Sequence, residues 1–220
     1  MITQTWPREQ TRVLILNSSH EALTAADFNL DCEFFRAVQI ERVDAGRPGL
    51  ADEERVNAAE TCRQVEAAVA GLYNYALQLT PAEFVLFVED DVIPETETAI
   101  DALLPEMAPD VAAVSGAYAH RYHPEKLVAF DLPYIGLPAL KSLDGPAVES
   151  IGGSGFGCLL IRRSVFTRFG LAGDHPTRPH YDCEISARIR EAGYRWVLKR
   201  TVFCDHMTHL QRPAVRASDK

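Results

Sequence analysis

The chain has 220 residues, 47% of them hydrophobic, and a formal net charge of −9. That size supports one substantial core, and no repeat, low-complexity tract or Pro/Ser/Gly-rich linker divides it, so a single domain over 1–220 is expected, with 211–220 as a frayed tail. The charge excludes a surface that holds nucleic acid by electrostatics alone, although 22 Lys and Arg residues leave room for a local basic groove. The polar beginning MITQTWPREQ has no signal-peptide core, and the apolar runs fall well short of the ~20 residues that span a bilayer. The expectation is a cytoplasmic protein with no transmembrane segment. Five scattered cysteines (Cys32, Cys62, Cys158, Cys183, Cys204) contain no Cys-x-x-Cys pair. They indicate neither a disulfide framework nor a zinc knuckle, and small buried hydrophobes are the expected role.

Residues 12–16 (RVLIL) form a short apolar run ending on Asn17, Ser18 and Ser19, the pattern of a buried strand entering a polar turn. A second extended run, 34–43, ends in the turn cluster Asp44-Ala45-Gly46-Arg47-Pro48-Gly49. Cys62, Val65, Val69, Leu72, Ala76 and Leu79 then recur at three- and four-residue spacing, one helical stripe that Thr80-Pro81 stops. The wholly apolar run 84–88 predicts a strand covered on both faces, running straight into Glu89-Asp90-Asp91. After Pro94 come a short helix near 96–105 and a strand at 111–118. Residues 119–147, with His120, His123 and several prolines, predict loops and an edge hairpin. The stretch Ile151-Gly152-Gly153-Ser154-Gly155-Phe156-Gly157 opens into a strand at 158–161, and Ser164 is the expected N-cap of a helix ending at Gly170. A last helix from Asp182 to Gly193 buries Ile185, Ile189 and Ala192, and a strand at 196–204 closes the ordered part.

Strands alternating with helices predict an α/β fold, an α/β/α sandwich around a mostly parallel central sheet. In such sheets ligands collect beyond the carboxyl ends of the strands, so the polar clusters at 17–19, 44–47 and 89–91 should converge on one crevice.

Four clusters carry chemistry. In an extended chain Glu89 and Asp91 share one face and Asp90 takes the other. Carboxylates crowded at a strand end repel one another unless a cation sits among them, and hard oxygen ligands suit Mg²⁺ or Mn²⁺ with a diphosphate completing the shell. An acidic turn facing water is the competing reading. The glycines of 152–157 let backbone approach a ligand, or simply shape the bend before a strand. In Tyr181-Asp182-Cys183-Glu184, Asp182 either caps the helix or accepts a proton from an attacking hydroxyl. In Cys204-Asp205-His206-Met207-Thr208-His209, either imidazole can ligate Mn²⁺ or serve the fold.

Taken in order, the acidic strand end, the stretch GSGFGCLLIRRSVFTRFG and the stretch HYDCEISARIREAGYRWVLKRTVFCDH resemble glycosyltransferases of the GT-A type, family 2, from about Phe84 to His206. The resemblance implies a Rossmann-like nucleotide-binding fold and a nucleotide-sugar donor, with a UDP-sugar expected. Glu89-Asp90-Asp91 matches the family's Asp-x-Asp motif, with Asp91 the main metal ligand and Glu89 replacing the first Asp. His206 matches the C-terminal metal histidine, with His209 the alternative. Asp182 matches the general base and Glu184 the second acid of that motif. Asp44 takes the place of the nucleoside-binding acid and Asn17 the end of the first strand. Gly153 and Gly155, with Arg162 or Arg163, are expected to shape the sugar and acceptor subsites. The family's Pro-x-x-Asn-Glu after the first strand is replaced by Asn17-Ser18-Ser19-His20-Glu21, and the segment between Asp44 and the acids is short.

The reaction so implied is a single, inverting displacement with Mn²⁺ or Mg²⁺ against the departing diphosphate. The acceptor class stays open among a saccharide, a lipid-linked sugar, a protein side chain and a modified base in DNA. A metal-dependent phosphohydrolase or nucleotidyltransferase also gathers acids at strand ends, and a nucleotide-sugar-binding module without turnover is the non-enzyme alternative.

Overall fold

In the computed structural model the residues described are 11–17, 24, 37–43, 59–96, 98–131, 139–172 and 180–207. Eleven strands can be followed along them: β1 (Arg12–Asn17), β2 (Ala37–Arg42), β3 (Phe84–Val88), β4 (Val92–Pro94), β5 (Val111–Tyr118), β6 (Lys126–Phe130), β7 (Leu140–Ser142), β8 (Val148–Ile151), β9 (Gly153–Ser154), β10 (Cys158–Arg162) and β11 (Arg195–His206). The helices are α1 (Ala59–Leu79), α2 (Ala99–Leu103) continued by a 3-10 turn, α3 (Arg163–Phe169) and α4 (Tyr181–Glu191).

The main sheet has the order β3-β10-β5-β11-β4, with β8 also on β11. Only β5 and β11 pair in parallel; β3–β10, β10–β5, β11–β4 and β11–β8 are antiparallel. A three-stranded sheet β7-β6-β9 is antiparallel, and β1 and β2 form a separate parallel pair. The expected mostly parallel, Rossmann-like sandwich is therefore wrong: the fold is strand-rich, with mixed and antiparallel sheets. Among the described residues no helix separates β5 through β10, so those strands return as hairpin-like neighbours instead of parallel crossovers. β10 then inserts between β3 and β5 and opposes both. β3 is packed on both faces as expected, Val85 and Phe87 against one core and Phe84 and Leu86 against the other, and only Val88 at its end is 47% exposed.

The sheet nevertheless buries two faces, and β10 shows it residue by residue. Leu159 and Ile161 join a core with Leu77 of α1, Phe166 of α3 and Ile185 and Ile189 of α4. Cys158 and Leu160 join the opposite core with Val114, Val197 and Leu103 of α2. That is the period-two alternation of a strand between two layers. Gly170 and Gly193 follow α3 and α4 with φ of 65° and 86°, the left-handed region glycine favours, as the sequence suggests. Ser164 is not the N-cap of α3: the helix begins at Arg163, after extended Arg162.

The glycine-rich segment is interior. Residues 151–160 are all buried. A Cβ on Gly153 would lie 2.6 Å from Ser186 Cβ of α4 and 2.8 Å from Phe130 Cζ, and one on Gly155 would lie 2.9 Å from Val128 Cγ1. The missing side chains let α4 and the β6 strand close on the backbone. Phe156, between them, touches the rings of Tyr73, Phe87, Phe166, Tyr181 and Trp196 at centroid distances of 4.8–6.3 Å.

Gly153→Ala is expected to destabilise the protein by about 1–3 kcal/mol through overpacking against Ser186. Gly71→Ala, on the exposed side of α1 with nothing near its Cβ, should instead stabilise by about 0.5–1 kcal/mol. Denaturant unfolding of the two variants beside the parent checks both signs.

Candidate functional site

β3, β5 and β11 run in the same direction, so their carboxyl ends lie at one edge of the sheet. The acidic cluster follows β3 there as a tight turn, closed by Val92 N–H donating to Glu89 O at 3.1 Å. Glu89 N–H donates to Gly157 O (3.1 Å) and Met207 N–H to Asp91 O (2.7 Å), which fixes the turn against the start of β10 and the end of β11. Glu89 is turned inward, Asp90 is exposed and Asp91 is half-buried. The turn, rather than an extended chain, separates the side chains.

Tyr73 of α1 reaches this turn and donates its hydroxyl to Glu89 Oε1 at 2.6 Å. Burial lifts the Glu89 carboxyl above its ordinary value. The hydroxyl of Tyr73 and the imidazole of His206 oppose that rise, and the charges of Asp91 and Asp182 add to it. Glu89 is thus within electrostatic reach of Asp91, Asp182 and His206, although these residues come from three distant segments.

His206 is buried at the end of β11 with its ring against Tyr118. Its Nδ1 lies 2.7 Å from Ala119 O. A carbonyl only accepts, so in the neutral ring the proton sits on Nδ1 and the lone pair on Nε2. Nε2 is 3.8 Å from Asp91 Oδ2. That oxygen also takes an ion pair from Arg121, in the turn after β5. Burial works to raise the Asp91 carboxyl, but His206 and the Arg121 guanidinium outweigh it and hold it below the usual Asp value.

Asp182 lies in the first turn of α4, whose N-cap is His180 rather than Asp182. Its Oδ1 accepts the adjacent Cys183 N–H (2.7 Å), while Ser186 Oγ donates to its carbonyl (2.5 Å). The helix start is instead served by Glu66 of α1, which faces His180 Nδ1 at 3.2 Å and Tyr181 N–H at 3.5 Å. Burial pushes the Asp182 carboxyl upward; His180 opposes this and Glu66 reinforces it. Glu184 is buried and paired with Arg188, which also donates to Phe169 O at 3.1 Å. Side chains two apart on a helix do not share a face, so Glu184 serves the α3–α4 seam while Asp182 points elsewhere.

Other expectations separate from this place. Asp44 and His209 lie outside the described residues, and of Asn17 only the backbone, at the end of β1, is described. Gly153 and Gly155 back onto Ser186 and Tyr118, so the space beside their α-carbons is filled by protein. Arg162 and Arg163 sit at the far end of β10: Arg162 pairs with Phe84 and Cys158 with Val88, four residues and ~13 Å apart. Arg162 binds the carbonyls of Met107 (3.1 Å) and Ala108 (3.0 Å), and Arg163 that of Leu77 (3.0 Å). Tyr73, Glu66 and Arg121 are the site residues that the sequence reading missed. Arg121 follows β5 in the same strand-end position as the acids follow β3, so that rule would have found it; nothing local marks Tyr73 or Glu66.

Asp91 and His206 are the pair here that can hold a cation. One carboxylate oxygen and one oriented imidazole, with the outer nitrogen held by a carbonyl, fit Mn²⁺ or Mg²⁺ as part of a shell. Among the described residues no group of three or more His, Cys, Asp or Glu gathers as a full cage, so water and ligand oxygens would complete it.

No protein-family model matches the sequence. No curated protein aligns with it significantly. A solved structure similar to this one is the viral protein A197 from STIV, at 12% identity and a TM-score of 0.52, covering 90% of this chain and 85% of that one. That likeness concerns the fold alone. No helix of the described residues is long and apolar enough to cross a membrane.

A carboxyl whose folded value is raised binds its proton more tightly in the native state, so its contribution to stability is full below the unfolded value and is lost as pH rises through the folded one. Glu89→Gln should therefore raise metal-free stability at pH 7 relative to the parent and flatten the decline that begins near the ordinary Glu value of 4.5. Urea unfolding of both proteins across pH 4–8 reads the difference; a parallel pair of curves would contradict it.

Proposed function

We propose that this protein is a metal-dependent glycosyltransferase that moves a sugar from a nucleotide-sugar donor, expected to be a UDP-sugar, to an acceptor hydroxyl with inversion. The observation that carries the reading is that Glu89 feels the charges of Asp91 and His206, themselves 3.8 Å apart, and also that of Asp182, whose carboxyl burial raises. A proton acceptor and a cation site side by side are what displacement of a diphosphate leaving group needs.

Asp182 takes the proton of the acceptor hydroxyl as its oxygen bonds to the anomeric carbon and the bond from that carbon to the diphosphate breaks. Its raised carboxyl makes it a stronger base than an exposed Asp. Asp91 and His206 would hold Mn²⁺ or Mg²⁺, which supplies positive charge against the departing diphosphate. Glu89, fixed by Tyr73, keeps an acceptor oriented beside them for donor hydroxyls. The acceptor is a saccharide, lipid-linked, protein or modified-base hydroxyl, and its class is read by experiment.

Nucleoside-diphosphate release from a panel of nucleotide sugars with Mn²⁺ tests the reading. Release from one donor is expected, with Asp182→Asn lowering the rate by ~10²–10⁴-fold and Asp91→Ala abolishing the metal dependence. Free phosphate or pyrophosphate as the product would instead identify a phosphohydrolase or nucleotidyltransferase. Donor binding that Asp182→Asn leaves intact, with no turnover in the parent, would identify a binding module.

A further inference from the structure

The oxygen of Asp91 that faces His206 also carries the Arg121 guanidinium. Two cations cannot share that oxygen at contact distance without strong repulsion. We propose that Arg121 is an internal counter-ion for Asp91 that a divalent cation must displace, so the turn after β5 gates loading of the site. This deepens the reading above and rests on it for the identity of the cation.

The backbone of the turn is held by bonds that do not involve the Arg121 side chain. His120 N–H donates to Lys126 O (2.7 Å), Lys126 N–H to His123 O (2.8 Å) and His123 N–H to His120 O (3.3 Å). His120 Nδ1 also accepts from the N–H groups of Tyr122 and His123, each at 3.2 Å. The Ala119 carbonyl is committed to His206, so the same short segment sets the orientation of one metal donor and the occupancy of the other. The paired groups are neither fully exposed nor sealed: the Arg121 side chain is 22% accessible and that of Asp91 32%. An exchange there opens no core. A guanidinium released from Asp91 beside a diphosphate finds a bidentate partner of the same charge, so loading of metal and of diphosphate would support each other.

Competition of this kind lowers apparent affinity by the fraction of molecules in which the site is free. If the ion pair is formed nine times in ten, its removal tightens cation binding by about tenfold. Mn²⁺ titration followed by electron paramagnetic resonance, with no donor present, reads this independently of turnover. Arg121→Met, which keeps the aliphatic stem, and Arg121→Gln should each bind Mn²⁺ about tenfold more tightly than the parent. Arg121→Lys, which keeps the charge, should remain within about threefold of it, and Asp91→Asn should lose binding. Either neutral variant suffices if the other fails to fold. Equal or weaker Mn²⁺ binding in the neutral variants, with binding by the parent, would overturn the counter-ion proposal and leave the metal site standing. No binding by any protein would overturn both.

Discussion

The packing of Phe156 and the glycines beside it sets the distance between the main sheet and α4, and the site depends on that distance. Asp182 enters the site only because α4 lies close enough for Ser186 to occupy the space beside Gly153. Tyr73 reaches Glu89 because its ring packs edge-on against Phe87 and tilted against Phe156, each at a centroid distance of 4.8 Å, which locates α1 over the same strand end. One buried aromatic therefore joins the helix carrying the proposed base, the helix carrying the Tyr73 hydroxyl and the strand that ends in the acids. Burial of a large aromatic commonly stabilises by several kcal/mol, so this region is a structural centre of the fold.

Individual elements were legible in the sequence where their periodicity was local. The strand 84–88, the strand 111–118 and the stop of α1 before Pro81 fall where alternation and breakers place them. Pairing was not legible. The order β3-β10-β5 is set by contacts between segments some 45 to 75 residues apart in the chain. A short apolar run reads the same whether its neighbour is parallel or antiparallel. The described residues of 119–162 supply five strands, β6 to β10, without a helix, and that omission was the available sign of a mixed sheet.

The site was partly legible for a related reason. A rule about strand ends requires only that β3, β5 and β11 share a direction, and they do, despite the antiparallel β10 between two of them. It therefore finds Glu89, Asp91 and His206. It cannot find Glu66 or Tyr73, whose roles come from helix docking across more than a hundred residues in one case and a side-chain hydrogen bond in the other. Nor can a motif tell that Glu184 faces Arg188, since the spacing within Tyr-Asp-x-Glu places the two acids on different sides of α4. The glycines misled for a physical reason: the absence of a Cβ admits a ligand or a neighbouring side chain equally well, and here side chains fill the space.

Three carboxylates, two after β3 and one in the first turn of α4, need not act alike, and their surroundings sort them. Asp91 has a guanidinium and an imidazole, which favour its anion. Glu89 and Asp182 have mainly burial and like charge, which favour the proton. A solvated acidic turn would leave all three near ordinary values, because water screens the repulsion and no burial opposes ionisation. Divergence of neighbouring carboxyls in opposite directions is the pattern that separates a charge-holding group from a proton-accepting one. The capping alternative for Asp182 is weakened on the same ground. A carboxylate committed to a helix N-terminus has its anion stabilised by the dipole and by N–H groups. Here Glu66 faces the helix start, and the Asp182 carboxyl remains raised.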